Sequence, residues 1–286
     1  MNTNLAIVGI FWDGYYDMWE DFLELKEKFW KDCPYPLYII NQTKKLNYER
    51  NYNVTVINAG SDAEYSKKIQ IALEKIDSDY LLLLLDDFFF SKELSRDILE
   101  SHIKFMKENS IKYYSMPLSE FLTPIVGKKG HISEIPEYVN KDREYTLTCQ
   151  PTIWERNFLK ECIGTGNYNA WVFEGIYAMS RKAHSSSFLS QCMRIKSNPL
   201  CIKHGALQGK MIPETINFYQ RIGYDMKNKR EILDASVYQK HQRKATIKSL
   251  IPVPIQKLIK RFMHSNSVYG RYSDQILEEM KRMNLV

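Results

Sequence analysis

Twelve consecutive residues constrain this chain more than any others. Asp79-Tyr80-Leu81-Leu82-Leu83-Leu84-Leu85-Asp86-Asp87-Phe88-Phe89-Phe90 is an apolar run stopped by two adjacent carboxylates. An apolar run of strand length with no polar alternation fits a strand buried on both faces, and such strands occur mainly in parallel sheets covered by helices. Ligands of such sheets gather at the carboxyl ends of the strands. Two neighbouring acids repel when both are charged and unpaired, and a divalent cation held by oxygen ligands is one resolution. The other is a helix N-cap, with Asp87 or Ser91 opening a helix near Leu94. The segment alone leaves both open.

The surrounding pattern supports the sheet. Leu5-Ala6-Ile7-Val8-Gly9-Ile10 reads as a first strand, and Met18, Phe22, Leu25 and Phe29 form the apolar stripe of the helix after it. Pro34 and Pro36 end that helix, and Leu37 to Ile40 is the second strand. Val54 to Ile57 is the third, followed by a turn and a helix with the stripe Ile69, Leu73 and Ile76. Strands alternating with helices imply right-handed βαβ units and a parallel sheet. No Gly-x-Gly-x-x-Gly and no Gly-x-x-x-x-Gly-Lys-Ser/Thr loop is present, so neither dinucleotide oxidoreductase nor P-loop chemistry has its fingerprint. Lys112 to Met116 reads as a further strand, and residues 118–143 as an irregular excursion of the kind that carries function. Regular structure is expected again at Thr146 to Cys149, with a helix over Ile153 to Ile163.

With 286 residues and 44% hydrophobic content, the chain can bury a large core. Its 13% aromatic content suits stacking on sugars or bases, or a large aromatic core. The five cysteines are scattered without metal-type spacing, which fits a reducing cytoplasm. The stretch Leu5 to Trp12 is too short and poorly flanked for a secretion signal, and no apolar run is long enough to span a bilayer.

The order of several short pieces resembles the GT-A-type nucleotide-sugar glycosyltransferases, especially the bacterial enzymes that build capsular or O-antigen polysaccharide. The pieces are Tyr16-Asp17-Met18-Trp19, Lys31-Asp32-Cys33-Pro34-Tyr35-Pro36, Leu83-Leu84-Leu85-Asp86-Asp87-Phe88, Gln150-Pro151-Thr152-Ile153-Trp154 and Asn169-Ala170-Trp171-Val172-Phe173-Glu174. The resemblance covers about residues 5 to 220 and rests mainly on the order of elements. It implies a GT-A-like, Rossmann-like α/β domain over residues 1–235, with a mostly parallel central sheet flanked by helices. A basic helical extension would follow over residues 236–286.

The resemblance also implies a site. Leu85-Asp86-Asp87 stands where the family has Asp-x-Asp, so the first acid is missing. Asp87 is the expected direct ligand of Mn²⁺ or Mg²⁺, with Asp86 a second ligand or a ribose contact, and His204 a further ligand. Glu174 is the expected catalytic base of an inverting transfer, three residues after Trp171, which would stack on an acceptor sugar. The alternative is a helix-start glutamate beside a core tryptophan. Asp13, Tyr15 and Asp62 are expected at the donor, Lys203 and Lys210 at its diphosphate, and Gln150 and Trp154 on the acceptor side. The implied partners are a nucleoside-diphosphate sugar and a glycan or lipid-linked oligosaccharide.

Between Tyr238 and His264 the chain carries seven lysines and arginines and no acid, interleaved with Ile247, Leu250, Ile251, Leu258, Ile259 and Phe262. Such a segment suits an anionic membrane surface, or a helix packed on the domain with its lysines in water. Attachment to the inner face of the cell membrane would bring a cytoplasmic transferase to its acceptor. Nucleic acid is disfavoured because no recognition motif accompanies the charge. The last helix, Ser273 to Met283, would mediate a homodimer or dock internally. The rival functions are a nucleotidyltransferase, which would need a glycine- and lysine-rich loop near the first strand, and a non-catalytic membrane- or glycan-binding protein.

Overall fold

The computed structural model describes residues 4–48, 50–118, 136–139, 146–195, 197–240, 243 and 268–286. β1 (Leu5–Ile10), β2 (Leu37–Asn41), β3 (Thr55–Asn58) and β4 (Tyr80–Leu85) run parallel in the order β3-β2-β1-β4. Helices α1 (Tyr16–Phe29) and α2 (Tyr65–Lys75) supply crossovers between them. Beyond β4 come β5 (Phe88–Phe90), α3 (Glu100–Glu108), β6 (Tyr113–Ser115), β7 (Glu137–Tyr138), β8 (Thr152–Glu155) and α4 (Arg156–Ile163). Helix α5 (Ala170–Met179), α6 (Ser186–Leu189) and β9 (Cys192–Arg194) follow. Among the described residues the sheet has eight strands in the order β3-β2-β1-β4-β8-β6-β9-β7. Only β8 and β7 oppose the others in direction. This is the mostly parallel central sheet flanked by helices that the sequence leads one to expect.

Side-chain alternation along the strands divides the core between the two faces. Leu82 and Leu84 of β4 join Leu5, Ile7, Trp19, Phe22 and the three phenylalanines of β5 on one face. Leu81 and Leu83 join Ala6, Val8, Ile69, Trp154, Phe173 and Ile176 on the other. The unbroken leucine run is thus explained by burial on both faces.

Three sequence expectations are corrected. No helix opens at Asp87 or Ser91. Instead, Phe88–Phe90, buried throughout, pairs antiparallel with β10 (Ile202–His204), and the next helix begins at Glu100. Thr146 to Cys149 forms no strand or helix, and Ile153 to Glu155 belong to β8, so the helix expected over Ile153 to Ile163 begins only at Arg156. Thr152-Ile153-Trp154 has the β-branched and aromatic composition of a strand. Glu155 then caps α4, its carboxylate accepting from the N–H groups of Asn157 (3.1 Å) and Phe158 (2.8 Å).

The hairpin β11 (Ala206–Leu207) and β12 (Lys210–Met211) leads into α7 (Pro213–Arg221). The chain closes with α8 (Val268–Arg271) and α9 (Ser273–Arg282). Helix α9 packs on α5, burying Ile276 and Met280, and Ser180 donates to the carbonyl of Leu285 at 3.0 Å. Internal docking thus accounts for Ile276 and Met280 of the helix's apolar stripe, while Leu277 is exposed. Most of the basic stretch 238–264 lies outside the described residues, although Tyr238 itself is buried against Ile212 and Leu233. No helix among the described residues is long and apolar enough to cross a membrane.

Candidate active site at the carboxyl end of the sheet

Asp86 and Asp87 leave β4 at the carboxyl end of the parallel strands and point to different partners. Asp86 is buried, and its Oδ2 accepts the N–H of Trp12 at 2.7 Å. Burial pushes its carboxyl well above the usual range. The charge of Asp87 adds to that, while the Trp12 N–H and the ammonium of Lys68 oppose it. Asp86 therefore ties the loop after β1 to the end of β4.

Asp87 faces the other way. Its Oδ2 lies 2.9 Å from Nε2 of His204, and its Oδ1 is buried without a hydrogen-bond partner. The pairing follows from strand register: β5 and β10 are antiparallel with His204 opposite Phe88, and the N–H of Gly205 donates to the carbonyl of Asp87 at 2.7 Å. A side chain at Gly205 would meet the Phe89 ring at 2.5 Å and that carbonyl at 3.0 Å, so glycine permits this approach. A buried, unpartnered carboxylate oxygen beside an imidazole is a suitable donor set for a divalent cation. Among the described residues no group of three or more His, Cys, Asp and Glu side chains gathers to hold a metal, so Asp87 and His204 would be the protein's share of a shell completed by other oxygens.

Tyr15 belongs to the same cluster. Burial pushes its hydroxyl up to about 12, the charges of Asp87 and Asp86 add to this, and Arg230 and a backbone bond from Gly209 oppose it. The guanidinium of Arg230 lies 4.2 Å from the centre of the Tyr15 ring. Asp13, by contrast, is engaged by the chain. It accepts from Asn41 Nδ2 (2.9 Å), the N–H of Gln42 (3.2 Å), the N–H and Oγ1 of Thr43 (2.9 and 2.7 Å) and the N–H of Lys44 (3.2 Å). Burial raises its carboxyl, but the bonds from Thr43, Asn41 and Gln42 together outweigh that and hold it below the usual range. Asp62, on the loop after β3, accepts from its neighbour Ser61 at 2.9 Å.

The expected lysines lie apart from the Asp87 and His204 pair. Lys203 precedes His204 on β10 and so projects to the opposite side, with its ammonium 4.5 Å from the Phe218 ring centre. Lys210 pairs with Glu231 at 2.9 Å. Neither is drawn to the acids by the fold.

β8 begins with Thr152 opposite Leu83, so residues 149–151 run alongside the carboxyl end of β4. Glu174 is held there. Its Oε1 accepts the N–H of Cys149 at 2.9 Å, and desolvation, partly offset by that bond, pushes its carboxyl up to about 7. Asn169 caps α5 by accepting from Val172 at 3.0 Å, and Trp171 in the first turn is 50% exposed, not a core residue. Gln150 accepts the N–H of Leu118 at 3.2 Å. Trp154 departs from expectation: it is 1% exposed, packed against Tyr113, and has no ring face left for a sugar. As part of β8 it points into the core because Thr152 and Trp154 share a face with Leu81 and Leu83.

No family model matches the chain. No curated protein matches it. Among solved structures, the mannosyltransferase PcManGT from Pyrobaculum calidifontis with GDP-Man and Mn²⁺ aligns at 8% identity over 99% of this chain and 86% of that one, with a TM-score of 0.43. TarS 1-349 of S. aureus in complex with UDP aligns at 15% identity over 60% of this chain, with a TM-score of 0.41, and the chain spans about half of it (54%). The bifunctional IspDF from Campylobacter jejuni aligns at 11% identity over 58% of this chain and 44% of that one, with a TM-score of 0.33.

Three residues at this end of the sheet escaped sequence reasoning. Lys68 is 4% exposed, its ammonium donates to the carbonyl of Phe11 at 2.7 Å, and burial lowers it to about 8 against the charge of Asp86. Its signal was its place on the buried stripe Tyr65, Lys68, Ile69, Ala72 of α2. Trp12 is 55% exposed, with its ring over Gly14 and beside Tyr15. Arg230 sat in a run of charges that reads as a solvated loop.

Proposed function

We propose that this protein transfers a sugar from a nucleoside-diphosphate donor to a hydroxyl of a glycan, with inversion, during surface polysaccharide assembly on a lipid carrier. The observation that carries this reading is Asp87. It stands at the carboxyl end of β4, with one oxygen bonded to His204 and the other buried without a partner. Asp87 and His204 would hold Mn²⁺ or Mg²⁺, and such a cation, when bound, supplies positive charge against the departing diphosphate. Tyr15, beside the acids, would line the donor pocket with Asp13 and Asp62 on the neighbouring loops.

Glu174 would act as base. As the acceptor oxygen forms its bond to the anomeric carbon, the bond from that carbon to the diphosphate oxygen breaks, and the hydroxyl proton passes to the Glu174 carboxylate. A carboxyl raised to about 7 suits this task near neutral pH, because it holds a proton more readily than an ordinary glutamate yet is ionised in a large fraction of molecules. Trp171, exposed one turn before it, offers a ring face to the acceptor sugar.

The test is thermal stability with a panel of nucleoside diphosphates and nucleotide sugars, in Mn²⁺, in Mg²⁺ and in chelator, alongside release of nucleoside diphosphate. One nucleotide should stabilise the protein only with metal, by about 2.7 kcal/mol at a hundredfold excess over its dissociation constant. Asp87→Asn should abolish that metal-dependent increment. A metal-dependent shift in the variant as large as in the wild-type protein would remove Asp87 from the metal site.

A further inference from the structure

A strap formed by residues 223–234 crosses the amino-terminal half of α1 and ends beside the candidate donor site. Its anchoring is double. Buried Asp21 of α1 accepts from Tyr224 Oη (3.0 Å), the N–H of Lys227 (2.7 Å), the N–H of Asn228 (3.0 Å) and Asn228 Nδ2 (2.7 Å). Further on, Met211 donates to the carbonyl of Glu231 and Leu233 donates to that of Met211, both at 2.9 Å. These contacts hold the strap without Arg230.

Arg230, between the two anchors, does something else. Its Nε and Nη2 form a bidentate pair with Asp17 Oδ2 and Oδ1, at 2.7 and 2.6 Å. Nη2 also donates to the carbonyl of Gly14, and Nη1 to that of Gly209 at 3.0 Å. The guanidinium plane meanwhile lies over the Tyr15 ring. Gly209 is the second central residue of the two-residue hairpin turn between β11 and β12, and both Gln208 (φ 54°) and Gly209 (φ 80°) are left-handed, as a type I′ turn requires. One side chain therefore ties the loop that follows β1 to the hairpin that follows His204. Those segments flank Asp86 and Asp87 from two sides.

We propose that Arg230 is a positioning residue of the donor site, holding Tyr15 and the Gly209 turn in fixed relation so that a nucleoside diphosphate meets a preformed wall beside Asp87. This rests on the transferase reading above. Only arginine supplies the planar fork needed to bridge Asp17, two carbonyls and an aromatic face together. Lysine keeps the charge but loses the bidentate geometry.

The experiment compares the full-length protein with Arg230→Ala and Arg230→Lys, and with Asp17→Asn alone and combined with Arg230→Ala. Donor KM should rise about tenfold or more in Arg230→Ala, the size of a lost charge-assisted contact, with a much smaller change in kcat. Arg230→Lys should recover only part of it. The double variant should be little worse than Arg230→Ala, since both remove one contact. Amide hydrogen exchange, read in parallel without nucleotide, should quicken together at residues 13–17 and 206–211, while the amides of Lys227 and Asn228 stay protected. A lowered melting temperature with unchanged donor KM and unchanged exchange at the two segments would overturn the proposal. Should the wild-type protein release no nucleoside diphosphate and bind no nucleotide, the transferase reading falls. The exchange result then decides separately whether Arg230 couples the two segments.

Discussion

At the scale of single residues, the site combines side chains whose charge state is set by burial. Glu174 is the clearest case, and the sign of its pH dependence follows from its raised value. An ordinary glutamate titrates near 4.5, and Glu174 is pushed up to about 7 by desolvation. A group raised in the folded state contributes stability that is full below its unfolded value and is lost as pH rises through the folded value. Glu174→Gln keeps an acceptor for the Cys149 N–H and removes the buried charge. It should therefore raise the stability of the protein at pH 8 by roughly 1–3 kcal/mol and leave it nearly unchanged at pH 4.5. Melting temperatures in the two buffers check this, and an equal shift in both would contradict the assignment. The same variant should abolish transfer, whereas wild-type turnover should fall as pH drops below about 7.

At the scale of elements, α5 is the part whose placement matters most. It carries Trp171 and Glu174, the latter held against the Cys149 N–H, and it packs against α9. The carboxyl-terminal helix is thus a buttress of the helix that carries Glu174. Ile276 is fully buried in the same core as Phe173, Ile176 and Tyr177. Ile276→Ala should cost about 2–5 kcal/mol, the range for truncating a buried isoleucine, and the urea midpoint measures it. A loss under about 0.5 kcal/mol, the usual size at an exposed position, would show that α9 is only loosely docked. For the same reason a deletion from Tyr238 onward removes core residues together with the basic stretch and is a poor probe of membrane attachment.

At the scale of the whole molecule, the positive excess and the α/β core can be examined separately. The net charge is +6, and the acid-free stretch from Tyr238 to His264 holds seven of the lysines and arginines. We propose that this stretch meets an anionic membrane surface. Reversing Lys248, Lys257 and Lys260 to glutamate leaves Tyr238, Ile276 and Met280 in place. It should release the protein from phosphatidylserine vesicles in a sedimentation assay, with about 1 kcal/mol lost per lysine removed from the surface. Binding that persists unchanged would assign the lysines to a solvated face. Turnover on a soluble acceptor should be the same before and after the change.

The parallel strands up to β4 and the helices between them were legible because their cause is local. The leucine run of β4, the stripe of α1 and the prolines before β2 each act on neighbours in the chain, and the burial pattern repeats them. The acids at the end of β4 were legible for the same reason. The strand at Thr152–Glu155 was not, because its capping residue is a glutamate, outside the usual N-cap set, and because its register comes from β4 and β6. Composition could not tell the two carboxylates apart: Asp86 is consumed by the Trp12 N–H, and Asp87 is turned to His204 by the pairing of β5 with β10. Nor could it separate Lys68, buried under the site, from Lys203 and Lys210, which face elsewhere. Arg230 and Asp17 lie 213 residues apart, and no periodicity links them. Periodic burial is written in neighbouring residues, so the sequence by itself determined the parallel strands up to β4 and the edge at which Asp86 and Asp87 stand. Which side chains meet at that edge depends on contacts between distant segments, and only the tertiary structure decided it.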